Sequence, residues 1–319
     1  MGGSLQPAGE AARQIAGMWW AMFWLGTAAF VVFLVLLAAG LLRRRHHTDE
    51  EAASRLREGG TDRPSRAWIV GGGVVQPLLL VIVVFALTLL AMRAIPDSAG
   101  EDALRIDITS HQWWYEVTYP DLEVTTANQM YIPVGQPVKL TLRSADVIHS
   151  FWVPQLAGKL DMLPDGPSTL VIQADEAGEY QGLCAEFCGI QHTRMGFVAV
   201  AVEGEVFDSW VQQQAEPAVE PTDDTAARGQ EVFVQANCMQ CHTIEGADFD
   251  APFTDTEGPV LTHFASRASI GAGTTDNTAE DLASWITDPH AVKEGVKMPA
   301  TDLDADELEA LVTYLQGLQ

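Results

Sequence analysis

The residues with the greatest potential for chemistry lie in one short segment, 184–195, which contains two thiols, an imidazole and a thioether. These donors are soft and favour copper. If the segment forms a tight turn between strands, Cys184, Cys188, His192 and Met195 can converge on one small volume. A fifth donor must come from elsewhere in the chain, and His149 is the best candidate. The segment therefore predicts a copper site.

Three kinds of site are compatible with this loop. A disulfide between Cys184 and Cys188 is expected outside the cell, but it gives no reason for His192 and Met195. One thiolate with two histidines and a distant methionine would make a blue mononuclear copper site. Two thiolates allow a dinuclear centre instead, in which both sulfurs bridge two coppers that share one unpaired electron.

The other two cysteines form a second redox motif, Cys238-Met-Gln-Cys241-His242. Two thiols three positions apart can form thioether bonds to haem, and the next histidine can bind its iron, so the motif predicts covalent attachment of a c-type haem. Zinc or a redox disulfide is the alternative for any Cys-x-x-Cys pair. The motif and the copper loop together indicate electron transfer.

The sixth iron ligand of an electron carrier is expected to be a distant soft donor. Met298, in the sequence Lys-Met-Pro, fits best. His263 and His290 are weaker candidates, because a histidine in a small domain is more often structural. Met239 lies within the attachment motif and is too close.

Two long apolar runs, 15–42 and 67–92, precede these motifs and contain no charged residue. Each is long enough to cross a bilayer as a helix, with a buried core helix as the alternative. The first run lacks a basic leader and an evident cleavage site, so we expect a retained helix rather than a signal peptide. Gln76-Pro77 could kink the second. Arginines between the runs, from Arg43 to Arg66, place this connection in the cytoplasm and both termini outside.

The net charge differs sharply between the predicted membrane-spanning part and the rest of the chain. Residues 1–92 contain 8 basic and 6 acidic residues, whereas residues 93–319 contain 10 and 37. Such an acidic external part attracts cationic partners and repels nucleic acid. It divides further into residues 93–224, with net charge −15, and residues 225–319, with net charge −12. Like-charged domains do not attract, so we expect them to meet through an uncharged rim around the haem edge, held close by their linker.

The sequence pattern of the external part changes near residue 212. Before it, short alternating segments separated by turn residues predict an all-β sandwich over 99–212. The copper loop falls between the last two predicted strands and His149 follows the fourth, as in a cupredoxin. The predicted strands are 105–109, 115–119, 129–133, 138–143, 169–173, 178–182 and 197–202.

An acidic, proline-containing segment, 213–224, is typical of a linker. Residues 225–319 then predict a small all-α domain with helices over 227–235, 279–287 and 304–318. Asp304 and Glu307 match a capping box. This is the layout of a class I cytochrome c. The whole chain is thus predicted to be multidomain, with a two-helix transmembrane hairpin in 1–98, then the cupredoxin sandwich, then the cytochrome c domain.

Nearly the whole chain resembles subunit II of haem-copper cytochrome c oxidases, in the bacterial caa-type form with a fused cytochrome c domain. The resemblance rests on Gln-Trp-Trp-Tyr at 112–115, His-Ser-Phe-Trp-Val-Pro at 149–154, the copper loop, and Gly-Val-Lys-Met-Pro at 295–299. It implies a dinuclear copper A centre. In that centre Cys184 and Cys188 bridge both coppers, His149 and Met195 complete one, and His192 with the backbone carbonyl of Glu186 completes the other.

The resemblance also implies roles for residues around the copper. Trp113 is similar to the exposed tryptophan through which electrons pass from a docked cytochrome c. The Glu186 side chain would bind magnesium at the contact with subunit I, with a solvated loop glutamate as the alternative. Core packing is the alternative for Trp114 and Tyr115. Asp161 resembles an acidic residue of the docking region, and the turn 164–167 departs from the family pattern.

The function implied by the resemblance is reception of electrons for a respiratory terminal oxidase in a bacterial inner membrane. A cytochrome c-type donor would reduce the haem c, and electrons would reach subunit I through copper A. Oxygen would be reduced to water in subunit I, with proton translocation. Subunit I, subunit III, the donor and the membrane are the implied partners, and the redox domains would face the periplasm.

Two other functions remain open at this point. A dicopper subunit of a nitric oxide reductase shares this architecture, and a membrane-anchored electron shuttle or copper-handling protein would need no subunit I. Quinol oxidases are disfavoured, because their second subunits lack the copper ligands present here.

Overall fold

The computed structural model describes residues 3, 5–44, 63–95, 99–100, 103–247 and 258–319. It divides into Arg13–Ile95 and a second unit formed by Met1–Ala12 and Pro96–Gln319. The connection between the apolar runs, residues 45–62, lies outside the described residues. The prediction that it faces the cytoplasm therefore has no structural counterpart.

Both apolar runs are helical and extend beyond their predicted bounds. The first is α1, Glu10–Arg44; the second comprises α2, Arg63–Val70, a π-helical turn and α3, Gln76–Ala94. Their apolar spans, Glu10–Leu42 and Arg66–Ala94, have mean hydropathies of 2.6 and 2.7, and none of the most apolar stretch is buried. At 1.5 Å per residue each exceeds the roughly 30 Å of a bilayer core. Exposure along the whole stretch argues against buried core helices.

The irregularity expected at Pro77 lies just before it. The backbone N–H of Gln76 bonds to the carbonyl of Gly71, five residues back, across the π-helical turn Gly71–Val75. A proline ring clashes with the carbonyl four residues before it, and a widened turn relieves that clash. The helical run thus continues through Pro77.

The all-β sandwich over the first part of the external region is confirmed, with two five-stranded sheets in the orders β3-β2-β1-β5-β8 and β4-β10-β9-β6-β7. Buried side chains alternate along β1 and β5, which pair in parallel, and so line the space between the sheets. The strands are β1 Leu104–His111, β2 Trp114–Tyr119, β3 Val124–Ala127, β4 Gln129–Pro133, β5 Val138–Ser144, β6 His149–Trp152, β7 Leu160–Met162, β8 Ser168–Ile172, β9 Gly178–Cys184 and β10 Gly196–Val202.

Residues before α1 pack on this sandwich. The backbone N–H of Ala8 donates to the carbonyl of Gln155 at 2.8 Å, and the N–H of Asp175 donates to the carbonyl of Ala8 at 2.8 Å. A side chain at Gly9 would meet the carbonyl oxygen of Gln173 at 2.2 Å, so only glycine allows this approach. The N-terminal segment is therefore part of the copper-loop domain.

The helical domain is built around two packed helices. These are α5, Asp224–Gln235, and α8, Ala305–Gln316, and they meet where Gly229 leaves no room for a side chain beside the Ala310 carbonyl. The predicted capping box of Asp304 and Glu307 is present. The other elements are α4 Gly204–Gln214, which packs on the sandwich, β11 Ser269–Ile270, β12 Thr275–Asp276, α6 Ala279–Thr287 and α7 Pro289–Val292.

The predicted linker is held against the helical domain. Its first two residues belong to α4, and the N–H of Ala218 donates to the carbonyl of Glu245 at 2.8 Å. The carbonyl of Glu216 lies 3.0 Å from Nε2 of His263. Residues 215–223 thus follow a fixed path, which shortens the effective tether between the two domains.

Candidate functional site

The loop between β9 and β10 brings the predicted donors together with His149. Sγ of Cys184 lies 3.8 Å from Sγ of Cys188, 3.9 Å from Nδ1 of His149 and 3.2 Å from the backbone oxygen of Glu186. Sγ of Cys188 lies 3.8 Å from Nδ1 of His192 and 4.0 Å from Sδ of Met195. Four further predicted ligand atoms therefore surround the two sulfurs.

Strand pairing places His149 in this cluster. It begins β6, whose Phe151 pairs with Cys184 at the end of β9. Nε2 of His149 lies 2.8 Å from Oδ1 of Asp146, which turns Nδ1 toward the sulfurs. Asp146 also accepts the backbone N–H of Gln112 at 2.7 Å. A carboxylate that fixes a histidine in this way is the usual support of a metal-binding imidazole.

The cluster has the geometry of a metal site and lacks that of a disulfide. The 3.8 Å between the sulfurs is far beyond the roughly 2.05 Å of an S–S bond. Zinc binds thiolate sulfur at about 2.3 Å. A metal ion at that distance could contact both sulfurs at once. His149, Cys184 and Cys188 are buried, and their ligand atoms lie within 4.8 Å of one another. The donor set therefore fits copper.

The two thiols perturb each other. Their mutual hydrogen bond lowers the pKa of Cys184 and raises that of Cys188. Metal binding through both sulfurs would require both thiols to lose their protons.

A separate cavity of about 310 Å³ lies in the helical domain. All four predicted haem-binding residues line it: Cys238, Cys241, His242 and Met298. Phe233, Leu282, Leu311 and Leu315 supply apolar walls. The cysteine pair and the two predicted iron ligands therefore face one apolar space, as a covalently held porphyrin requires.

His242 is prepared to bind iron. Its Nδ1 lies 2.8 Å from the carbonyl oxygen of Pro259, so that nitrogen carries the proton and Nε2 is the free donor. Burial lowers the pKa of His242, which keeps the ring neutral. Neither His263 nor His290 lines the cavity. Met298 thus remains the candidate for the sixth ligand.

Arg267 is a cavity residue that the sequence analysis missed. It is buried, one of its terminal nitrogens donates to the carbonyl of Val260, and its Nε has no partner among the described residues. Burial lowers its pKa to about 10, so it still carries its charge at neutral pH. A buried guanidinium in the cavity wall, with its Nε–H still without a partner among the described residues, fits the propionates of a haem. No motif marked it, since a lone arginine carries no spacing signal.

The sandwich domain closes one side of this cavity. Gln112, Trp113, Trp114 and Asn128, from β2 and the turns beside it, are among its lining residues. Trp113 is only 9% exposed, which corrects the expectation of an exposed tryptophan. The chain's own helical domain covers it. Its indole N–H donates to the carbonyl of Cys188 at 3.0 Å, and Trp113 therefore touches both redox sites.

The remaining predicted residues divide into core and surface. Tyr115 is fully buried and packs edge-on against Phe197, so it belongs to the core as the alternative proposed. Trp114 stacks on His111 with ring centroids 4.3 Å apart and faces the cavity. Asp161 is exposed and pairs with Ser150 across β7 and β6. The backbone oxygen of Glu186, as predicted, faces the sulfurs.

These features define a class of protein: a membrane-anchored electron carrier that joins a copper-binding cupredoxin to a cytochrome c. The family model for the periplasmic domain of cytochrome c oxidase subunit II matches residues 122–202, and that for cytochrome c matches residues 226–319.

The chain is similar to several known oxidase subunits. Cytochrome c oxidase subunit 2 of Alkalihalophilus pseudofirmus is 36% identical over 77% of this chain and 71% of its own length. That of Bacillus subtilis is 34% identical over 77% and 73%. Among solved structures, the periplasmic domain of subunit II from Bradyrhizobium japonicum is 28% identical over 37% of this chain and 96% of its own, with a TM-score of 0.35.

The chain belongs to the cytochrome c oxidase subunit II family and carries a C-terminal cytochrome c domain. It binds copper and haem, is anchored in a membrane, and receives electrons for a terminal oxidase, which is an oxidoreductase with further subunits.

Proposed function

We propose that this chain takes electrons from an external cytochrome c-type donor and passes them, through a covalent haem c and a dinuclear copper A centre, to subunit I. Oxygen is reduced to water in subunit I, with proton translocation, and subunit III completes the assembly. The chain itself contributes the path and holds no oxygen site.

Trp113 carries this proposal. Its side chain closes the haem cavity on one side and donates a hydrogen bond to Cys188 on the other. Gln112 also lines the cavity, and its side-chain amide donates to the same Cys188 carbonyl at 2.7 Å. Two adjacent residues of the sandwich domain therefore join the haem cavity to the copper ligands. A copper-handling protein would have no use for such a contact.

Each bound group would supply storage for one electron at a time. Cys238 and Cys241 would hold the haem covalently, and His242 and Met298 would bind its iron. The copper pair would be held by the thiolates of Cys184 and Cys188, with His149, His192, Met195 and the Glu186 carbonyl as further ligands. The Glu186 carboxylate, which is free of this task, would bind magnesium at the contact with subunit I.

The redox domains lie on the periplasmic side of the bacterial inner membrane. The hydrogen bonds of Ala8 with the sandwich domain support this arrangement, since they keep the N-terminal segment beside the redox domains. Both termini then share one side, as two membrane crossings require. The acidic external surface suits a cationic donor.

Metal analysis and electron paramagnetic resonance of the purified full-length chain in detergent test this function. The expected result is two coppers per chain, one unpaired electron coupled equally to both copper nuclei, and a low-spin haem c. One labile copper, or none, would return the chain to the shuttle or copper-handling class. Turnover of the intact complex with oxygen and with nitric oxide separates an oxidase from a nitric oxide reductase.

A further inference from the structure

Lys293 occupies an unusual position between the two redox domains. It follows α7 in the cytochrome domain and is 1% exposed, although lysine is rarely buried without a partner. Its Nζ donates to the carbonyl of Trp113 at 2.9 Å and to the carbonyl of Gly271 at 2.7 Å. Among the described residues no carboxylate forms an ion pair with it. A buried cation is thus held by backbone dipoles of both domains.

Three neighbouring hydrogen bonds cross the same interface. Gln191 donates to the carbonyl of Glu294 at 2.8 Å, and Arg194 donates to the carbonyl of Val292 at 2.8 Å. The backbone N–H of Gly196 donates to the carbonyl of Ala272 at 2.9 Å. The copper loop supplies two of these donors and the first residue of β10 supplies the third. Two short segments of the cytochrome domain supply the acceptors.

The turn that contains Ala272 is shaped for this contact. Ala272 has a φ of 59°, in the left-handed region that alanine avoids. A side chain at Gly196 would meet its carbonyl oxygen at 2.9 Å. A strained alanine opposite a glycine indicates a built interface rather than a chance approach.

These contacts explain how two acidic domains meet. Their net charges are −15 and −12, yet the four bonds across the interface run to backbone carbonyls and involve no carboxylate. The expectation of an uncharged rim is wrong, because Lys293 and Arg194 both take part. Hydrogen bonds from Lys293 and Arg194 to backbone carbonyls hold the domains without requiring opposite net charges.

We infer that Lys293 is a positioning residue that locks the cytochrome domain onto the copper domain and thereby holds Trp113 between their redox sites. This inference rests on the proposed function. Lys293, in the cytochrome domain, donates a hydrogen bond to the backbone carbonyl of Trp113. The indole N–H of Trp113 donates to the backbone carbonyl of Cys188 in the copper loop. Loss of Lys293 should free the domains from each other while both redox sites stay intact.

The test compares Lys293→Met with Lys139→Met, which removes an exposed lysine of β5, in the full-length chain within its oxidase. The first readout is hydrogen exchange at the Gly196 amide, which reports docking directly. Lys293→Met should speed it about tenfold, as expected for loss of one charge-assisted hydrogen bond. Haem-to-copper transfer should slow about tenfold as well. Lys139→Met should change neither.

Three controls separate positioning from general damage. The copper and haem contents and the ligand-dependent spectra of both centres should be unchanged in Lys293→Met, and steady-state kcat should fall while KM for the external donor stays constant. The Arg194 side chain is exposed. Arg194→Met should therefore speed amide exchange and slow haem-to-copper transfer by less than Lys293→Met does. If Lys293→Met does not fold, Arg194→Met tests the same interface.

Unchanged amide exchange and unchanged transfer in a folded Lys293→Met chain would overturn the inference. A wild-type chain without haem-to-copper transfer would instead refute the proposed function.

Discussion

The two redox sites are built in opposite ways. The copper ligands come from one loop and one adjoining strand of a single domain, and Asp146 of the same domain orients His149. The haem cavity draws its iron ligands from two distant segments of the helical domain, and Trp113 and Trp114 of the other domain close it. One site is local and self-contained, whereas the other is completed across an interface.

This difference determines which substitutions act on the copper site and which act on electron transfer between the two sites. Changes in the copper loop act on the copper site directly, since its donors lie within a few ångströms of the two sulfurs. Changes at the interface should leave the copper and haem ligands in place and act mainly on the passage of electrons between the two sites.

The largest effect is expected for Cys188→Ser. A serine hydroxyl is a harder donor than a thiolate and cannot replace a sulfur shared by two coppers. Copper content should fall from two per chain to one at most, and haem content should stay at one, as measured by elemental analysis and pyridine haemochrome spectra. Equal loss of haem would show that the two sites are not independent.

Met298→Ala should change the haem alone. A methionine ligand raises the potential of a c-type haem, so its removal should lower the potential by on the order of 100 mV. Redox titration of the full-length chain measures this. The matched control is His290→Ala, at an exposed position, which should leave the potential unchanged. If the two variants exchanged these results, His290 would be the ligand.

Asp146→Asn tests whether the support of His149 matters to the copper site. Loss of a carboxylate that orients a metal-binding histidine weakens metal binding about 10-fold to 100-fold. Competition with a copper chelator gives the affinity, and Asp165→Asn on the exposed turn is the control. A copper affinity equal to that of the wild type would remove Asp146 from the site.

The pH dependence of docking should be the smallest effect. Burial lowers the pKa of Lys293 to about 7 from an ordinary value of 10.5, with Arg194 acting in the same direction and Cys188 opposing it. An undocked Lys293 therefore holds a proton that the docked one releases between these values. Docking should strengthen as pH rises through this window and stay constant below pH 7.

Amide exchange at Gly196 measures this effect. The ratio of the exchange rate in Lys293→Met to that in the wild type should rise severalfold between pH 7 and 8, because the variant has nothing to titrate there. A ratio independent of pH would mean that Lys293 keeps its proton in the docked form.

The sequence predicted the contiguous parts of the molecule well. The spacing of donors in the copper loop and of the haem motif is set by chemistry, and both sets of side chains meet as expected. The two apolar helices, seven strands and three helices were found because hydrophobic period and capping residues act over a few positions. The capping box at Asp304 is a purely local signal of this kind.

What escaped prediction depends on contacts between distant segments. Strands β3, β6 and β7 have three or four residues each and no clear alternation of buried and exposed positions. Trp113 was expected at the surface, because nothing in its neighbourhood shows that another domain covers it. Lys293 and Arg267 gave no signal either, since single cations become informative only when burial and partners are known.

Electron transfer from haem to copper past Trp113 can be tested by transient kinetics. The haem of the full-length chain is reduced rapidly, and haem oxidation and copper reduction are then followed. In the wild type, haem oxidation and copper reduction should share one rate constant. Trp113→Leu should slow both at least about tenfold, because one of the two side chains that link the haem cavity to the Cys188 carbonyl is lost. Copper reduction at the wild-type rate in Trp113→Leu would contradict the account.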